Sequence, residues 1–178
     1  NNKVALVTGG ASGVGKETVE LLLKEGAYVA FGDIDVQAGE ALAKACGERA
    51  LFLRHDVSNE AEWQEVIAKV QAHFGPLDIL INNAGILLPG SIETATLAQF
   101  RQLMQVNADS CFLGCQQGIA AMKERGGSIV NMASVSTWLP IEGYAGYSAS
   151  KAAVAALTRA SALYCRKNGL AIRVNSLH

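Results

Sequence analysis

Six short apolar runs, separated by helical patterns, constrain this chain more than any other feature. They cover residues 4–7, 27–31, 50–53, 78–81, 128–132 and 171–175. Each is aliphatic or β-branched without a polar face, as expected of parallel strands covered on both sides. Between them, Trp63, Val66, Ile67, Val70 and Phe74 recur at i, i+3, i+4, i+7 and i+11, one face of a helix. Val19, Leu22 and Leu23 mark an earlier helix that Gly26 should close. Residues 97–125 read as one long helix or two consecutive ones, and 148–168 as another. Strict β-α alternation predicts a three-layer α/β fold: a Rossmann-like, doubly wound parallel sheet with helices on both faces. No linker, repeat or low-complexity stretch divides residues 1–178, so a single domain is expected.

Composition narrows what such a domain can do. Charged residues make up 17% of the chain, below the usual share of roughly a quarter for a soluble domain. Together with an alanine-rich helix over 152–162 that is apolar on more than one side, this predicts a homo-oligomer, a dimer or a tetramer. A formal net charge of −1 leaves no electrostatic footprint for nucleic acid or anionic membrane. Asn82, Asn83, Gly85, Pro89 and Asp109 interrupt the apolar stretches too often for a membrane span. The leading Asn-Asn-Lys gives no signal-peptide pattern. None of the four cysteines forms a C-x-x-C pair, and Cys111 and Cys115 fall on one helix face as small core residues. A soluble protein of the reducing cytoplasm is expected. The stop at His178, directly after a strand, suggests that a further C-terminal segment is missing.

Three local patterns carry chemistry. The run from Thr8 to Gly15, with Gly9, Ser12, Gly13, Val14 and Gly15 at its turn, follows the first strand and opens the first helix. Glycines there let a pyrophosphate approach free N–H groups at the helix N-terminus. Asp33 ends the second strand 18 residues after Gly15, where a carboxylate can reach the adenosine ribose hydroxyls. A 2′-phosphate would need a cation, whereas Ser12 and Ile34 are neutral, so NAD is expected over NADP. Tyr147 and Lys151 lie four apart on one face of a helix start. A free tyrosine is a poor base at neutral pH, and a neighbouring ammonium favours its phenolate. Tyr144 is followed by Ser148 at the same spacing and lacks that cation. There is no G-x-S-x-G elbow and no metal-ligand cluster, and His55 and His73 read as surface residues.

In order along the chain, the Thr8–Gly15 turn, Asp56-Val57, Asn82-Asn83-Ala84-Gly85, Asn107, Ser134, Tyr147-Ser148-Ala149-Ser150-Lys151 and Arg173-Val174-Asn175-Ser176 resemble the short-chain dehydrogenases/reductases. The resemblance implies an NAD-dependent oxidoreductase interconverting a secondary alcohol and a ketone. It places the pyrophosphate on Gly9, Ser12, Gly13, Val14 and Gly15, the ribose on Asp33, and the adenine on Asp56 and Val57. Asn83, Ala84 and Gly85 would line the cofactor. Ser134 would orient the substrate oxygen, Tyr147 exchange the proton and help bind the cofactor, Lys151 bind the nicotinamide ribose, and Asn107 hold a water joining Lys151 to solvent. The segments 86–90, 114–124 and 132–142 resemble the bacterial 3β/17β-hydroxysteroid dehydrogenases. They imply a steroid alcohol held by Leu87, Trp138, Ser134 and Tyr147. The alternatives are another bulky apolar secondary alcohol, or a non-catalytic NAD-binding subunit.

Overall fold

The computed structural model describes residues 2–178; Asn1, part of the leading segment read above, lies outside the described residues. The strands are β1 (Val4–Thr8), β2 (Tyr28–Asp33), β3 (Ala50–Arg54), β4 (Ile79–Asn82), β5 (Gly127–Met132) and β6 (Ile172–Leu177). They form one sheet in the order β3-β2-β1-β4-β5-β6, every pairing parallel. The helices are α1 (Gly13–Lys24), α2 (Val36–Cys46), α3 (Glu60–Phe74), α4 (Leu97–Leu103), α5 (Ser110–Met122) and α6 (Ala145–Lys167).

Because the chain winds outward from β1 to β3, then returns to β4 and winds the other way, its helices divide between two faces. Val19 and Leu23 of α1 and Leu42 of α2 pack with Val7, Val29 and Phe31 on one face. The stripe Trp63, Val66, Ile67 and Val70 of α3 joins Cys111 and Cys115 of α5 and Val154 and Cys165 of α6 on the other. Both α5 thiols are buried there as core residues, and all four cysteines are free. Burying each large side chain contributes about 1.5–3 kcal/mol.

Local signals set several element ends. Gly26 follows α1 with φ +87°, a conformation that favours glycine. Asn59 caps α3 by accepting the Ala61 N–H, and Thr96 with Gln99 forms a reciprocal capping box at α4.

Residues 97–125 hold two consecutive helices, as read, but joined without a break: α4 runs into a π-helical turn, Met104–Asp109, which runs into α5. Two expectations need correction. β6 does have a polar face: Ile172 and Val174 are buried in the cluster that holds Val154 and Cys165 of α6, while Arg173 and Asn175 point to the other face and are exposed. His55 is not on the surface. It is 1% exposed, its ring edge-on to Trp63 at 4.6 Å between centroids. His73 is exposed as expected. No helix among the described residues is long and apolar enough to cross a membrane.

Candidate active site

The reversal of strand order between β1 and β4 opens a crevice at the carboxyl ends of the strands, where α/β sheets of this kind bind ligands. A cleft of about 580 Å³ lies there. Its lining brings together Gly9, Ser12, Val14 and Gly15, Asp33 with Ile34, Asp56 with Val57, and the Asn83–Ala84–Gly85 loop.

The glycine turn has the shape its spacing implies. Gly9 and Gly13 have φ of +63° and +52°, and a Cβ on Gly9 would stand 2.9 Å from Ala84 Cα. A Cβ on Gly15 would collide with the Gly9 carbonyl. Asp33 stands beside this turn: its Oδ2 accepts the Ala11 N–H at 3.0 Å and its Oδ1 the Asp35 N–H at 3.1 Å. One carboxylate therefore fastens the loop that it also borders.

Further along the sheet edge, α3 fixes the Asp56-Val57 turn. Glu62 accepts the Asp56 N–H at 2.7 Å, and Trp63 Nε1 donates to the Val57 carbonyl at 2.9 Å. The Ser58 hydroxyl and N–H both donate to Asp56 Oδ1, and the hydroxyl is the main reason the Asp56 carboxyl stays below its usual range.

The Asn83 loop is tied to β1. Thr8 Oγ1 accepts the N–H groups of Asn83 and Ala84 at 3.0 and 3.1 Å, and Asn83 Nδ2 donates to the carbonyls of Thr8 and Gly9. Behind it, Asn82 donates to Asn131 of β5 at 2.8 Å, and Asn131 to Thr158 of α6 at 2.9 Å.

Beyond Gly85, and outside the lining of the cleft itself, the first turns of α6 carry Tyr147 and Lys151; Ser134 and Asn107 also lie outside that lining. The Lys151 ammonium is buried, stands 5.8 Å from the centre of the Tyr147 ring, and donates to the Met132 carbonyl at 2.7 Å. Burial lowers its pKa from the ordinary lysine value. A Cβ on Gly85 would lie 3.4 Å from Lys151 Nζ and 3.0 Å from Asn107 Oδ1, so the cofactor-side loop meets the lysine through a glycine. Ser134 ends the loop after β5, and its Oγ accepts the N–H and hydroxyl of Ser136 in the 3-10 turn Val135–Thr137.

Asn107 lies in the π-helical turn and is buried. Its Nδ2 donates to the Ile86 carbonyl and to Ser150 Oγ, and its Oδ1 accepts the Ile86 N–H at 2.7 Å. The carboxamide is thus committed to protein partners. Ser150 in turn donates to the Tyr147 carbonyl at 2.8 Å.

The two apolar candidates, Leu87 and Trp138, are both exposed. Leu87 is 55% exposed, outside the lining of the cleft. The exposed Trp138 ring lies 5.9 Å from the Arg159 guanidinium and 5.5 Å from the His178 ring.

Thr8, Glu62, Trp63, Met132 and Ser150 act here although the sequence assigned none of them a role of its own in the site. Each works through a main-chain or hydroxyl partner, which leaves no mark in residue spacing.

A glycine turn, a carboxylate ending β2 and a buried lysine over a tyrosine, set on a doubly wound sheet, define a dinucleotide-binding dehydrogenase. Residues 3–178 match the short chain dehydrogenase family, and the chain belongs to that family of oxidoreductases. It is 69% identical over 176 residues to a 3-beta-hydroxysteroid dehydrogenase of Comamonas testosteroni, spanning 99% of this chain and 69% of that protein. A 3-alpha-(or 20-beta)-hydroxysteroid dehydrogenase of Mycobacterium bovis is 41% identical over 177 residues, 99% of this chain and 67% of the relative. An NADP-dependent (R)-specific alcohol dehydrogenase of Lentilactobacillus kefiri is 37% identical over 180 residues, 99% of this chain and 71% of the relative.

Proposed function

We propose that this chain oxidises a secondary hydroxyl on a steroid to the ketone, and catalyses the reverse reduction, with NAD as cofactor. The observation that carries the chemistry is the buried Lys151 ammonium beside Tyr147, reached from the cofactor side through Gly85. The substrate class is supported by the two hydroxysteroid dehydrogenases above, at 69% and 41% identity.

The cleft suits a dinucleotide. Gly9, Ser12, Gly13, Val14 and Gly15 would hold the pyrophosphate at the N-terminus of α1, where N–H groups lack helical partners. Asp33 would hold the adenosine ribose, Asp56 and Val57 the adenine, and Asn83, Ala84 and Gly85 the inner wall. Asp33 favours NAD, since a 2′-phosphate would face its carboxylate. The nicotinamide ring supplies the hydride acceptor in oxidation and the donor in reduction.

The protein's own groups manage the proton. Ser134 donates a hydrogen bond to the substrate oxygen, holding it toward Tyr147. In oxidation the Tyr147 phenolate takes the hydroxyl proton as the carbinol carbon gives up hydride and the C–O bond becomes a carbonyl. In reduction the phenol returns that proton to the oxygen. The Lys151 ammonium stabilises the negative charge on the tyrosine oxygen, and by exchanging its Met132 partner it can also hold the nicotinamide ribose. With the Asn107 carboxamide committed to Ile86 and Ser150, a water linking Lys151 to solvent would rest on the Asn107 main-chain carbonyl.

Oligomer formation suits the hollow lined by Ala108, Phe112, Ala153, Ala156 and Leu157, where Phe112 is 49% exposed. Four free thiols suit a reducing compartment such as the cytoplasm.

Absorbance of the reduced cofactor tests the proposal, with a 3β- or 17β-hydroxysteroid, a small aliphatic secondary alcohol and a polyol as substrates. The steroid should give the highest kcat/KM. If the small alcohol or the polyol leads, the steroid assignment fails while the dehydrogenase chemistry stands.

A further inference from the structure

At the adenosine end of the cleft, the sheet places an arginine beside the ribose-side carboxylate. In the parallel pairing of β2 with β3, Asp33 is in register with Arg54. Partners in register project from the same face of neighbouring strands, about 5 Å apart. The Arg54 side chain is 55% exposed and ends β3 at the edge where the cleft opens. A guanidinium fork matches phosphate oxygens well, so a free arginine here would be the cation that a 2′-phosphate requires.

Arg54 is held. Its Nη1 donates to Glu62 Oε1 at 2.6 Å. Glu62 is anchored from two other directions: Oε2 accepts the Asp56 N–H at 2.7 Å, and Oε1 also accepts Asn59 Nδ2 at 3.1 Å. Its side chain is 20% exposed, and these donors together with Arg54 hold its carboxyl below the usual range against the opposing effect of burial. Meanwhile the described residues lining the cleft include the carboxylates of Asp33 and Asp56 and no lysine or arginine.

We propose that Glu62 is a specificity-determining residue of the cofactor cleft, holding Arg54 away from the adenosine ribose so that Asp33 alone sets the charge there. The inference rests on the assignment of Asp33 to the ribose of NAD. An exposed ion pair of this kind adds little to stability. Its effect lies in where it keeps a cation, and so in which cofactor meets repulsion.

Isothermal titration of NAD and NADP into the full chain tests this, through the ratio of the two Kd values. Glu62→Gln keeps an oxygen for the Asp56 N–H but removes the charge that holds Arg54. It should tighten NADP relative to NAD by roughly tenfold, the scale of one hydrogen bond to a charged group. Glu62→Asp, which draws the carboxylate back by one methylene, should shift the ratio the same way by less. Adding Arg54→Gln to Glu62→Gln should return the ratio to the wild-type value. An unchanged ratio in both Glu62 variants overturns the proposal, as does a gain that persists without Arg54. A wild-type chain that itself prefers NADP would instead sink the assignment of Asp33.

Discussion

The two ends of the crevice are held by bonds of different reach. At the Asp56-Val57 turn, on the adenine side, the ties are short in sequence: Asp56 to Ser58, Glu62 to the Asp56 N–H and Trp63 to the Val57 carbonyl span two to six residues. At the catalytic end they are long. Lys151 reaches Met132 across 19 residues, Asn107 reaches Ile86 across 21 and Ser150 across 43, and Asn82 reaches Asn131 across 49. A short tie forms once its own strand–helix junction has folded, whereas a long one needs several strands in register. The adenine-side turn therefore rests on a local unit, whereas Asp33, the Asn83 loop and the proton chemistry rest on the assembled sheet.

The sharpest way to separate the two ends is Tyr147→Phe. It keeps the ring and removes the exchangeable proton, so kcat should fall at least about a hundredfold. Cofactor Kd should stay within a factor of about two, since the adenosine-end ties do not involve Tyr147. A matching loss of cofactor affinity would show that the ends are not separable.

A smaller effect is expected from His55, whose two ring nitrogens are buried without partners beneath the adenosine end. Burial lowers its pKa from the ordinary 6.5 to about 4, against the opposing pull of Glu62 and Asp56. The folded state thus prefers the neutral ring. The associated stability is fully present above pH 6.5 and is lost as pH falls from there toward 4, by roughly 3 kcal/mol at most. Thermal unfolding followed from pH 7 to 4 should show this slope, and His55→Phe should flatten it. An equally steep slope in the variant would assign the acid sensitivity to other groups.

Thr8→Val should give the smallest change and tests the bond set that joins the ends. It leaves the N–H groups of Asn83 and Ala84 without their hydroxyl acceptor. Cofactor Kd should rise about tenfold with little change in kcat. A fall in kcat with unchanged Kd would place the Asn83 loop in the catalytic end instead.

The same contrast explains what could be read from residues alone. The inner strands were legible because parallel strands covered on both faces are continuously apolar, and the Gly9–Gly15 turn because φ and space leave no substitute for glycine. α2 gave no stripe, since it packs on Phe52 through Gly39, where a Cβ would collide with the ring. His55 misled because a lone imidazole between Arg54 and Asp56 has the composition of a surface turn. Its burial comes from Trp63 and from Gly32, which leaves room for the ring. The ring contacts of Trp138 with Arg159 and His178 join residues 21 and 40 apart and so have no spacing signature either. The long ties of the catalytic end have no spacing signature at all.

The π-helical turn at Met104–Asp109 has a consequence of its own. Such a turn accommodates one residue more than regular α-helix allows, and each residue advances a helix by about 100°. Deleting Ala108 or Asp109 would let α4 and α5 merge into one smooth rod and rotate everything upstream relative to α5. Asn107 would swing off Ile86 and Ser150 even if its identity were untouched. Here the position of a site residue is written in the length of the chain as much as in its letters. A neighbouring frame error of one residue would therefore do what a substitution at Asn107 does.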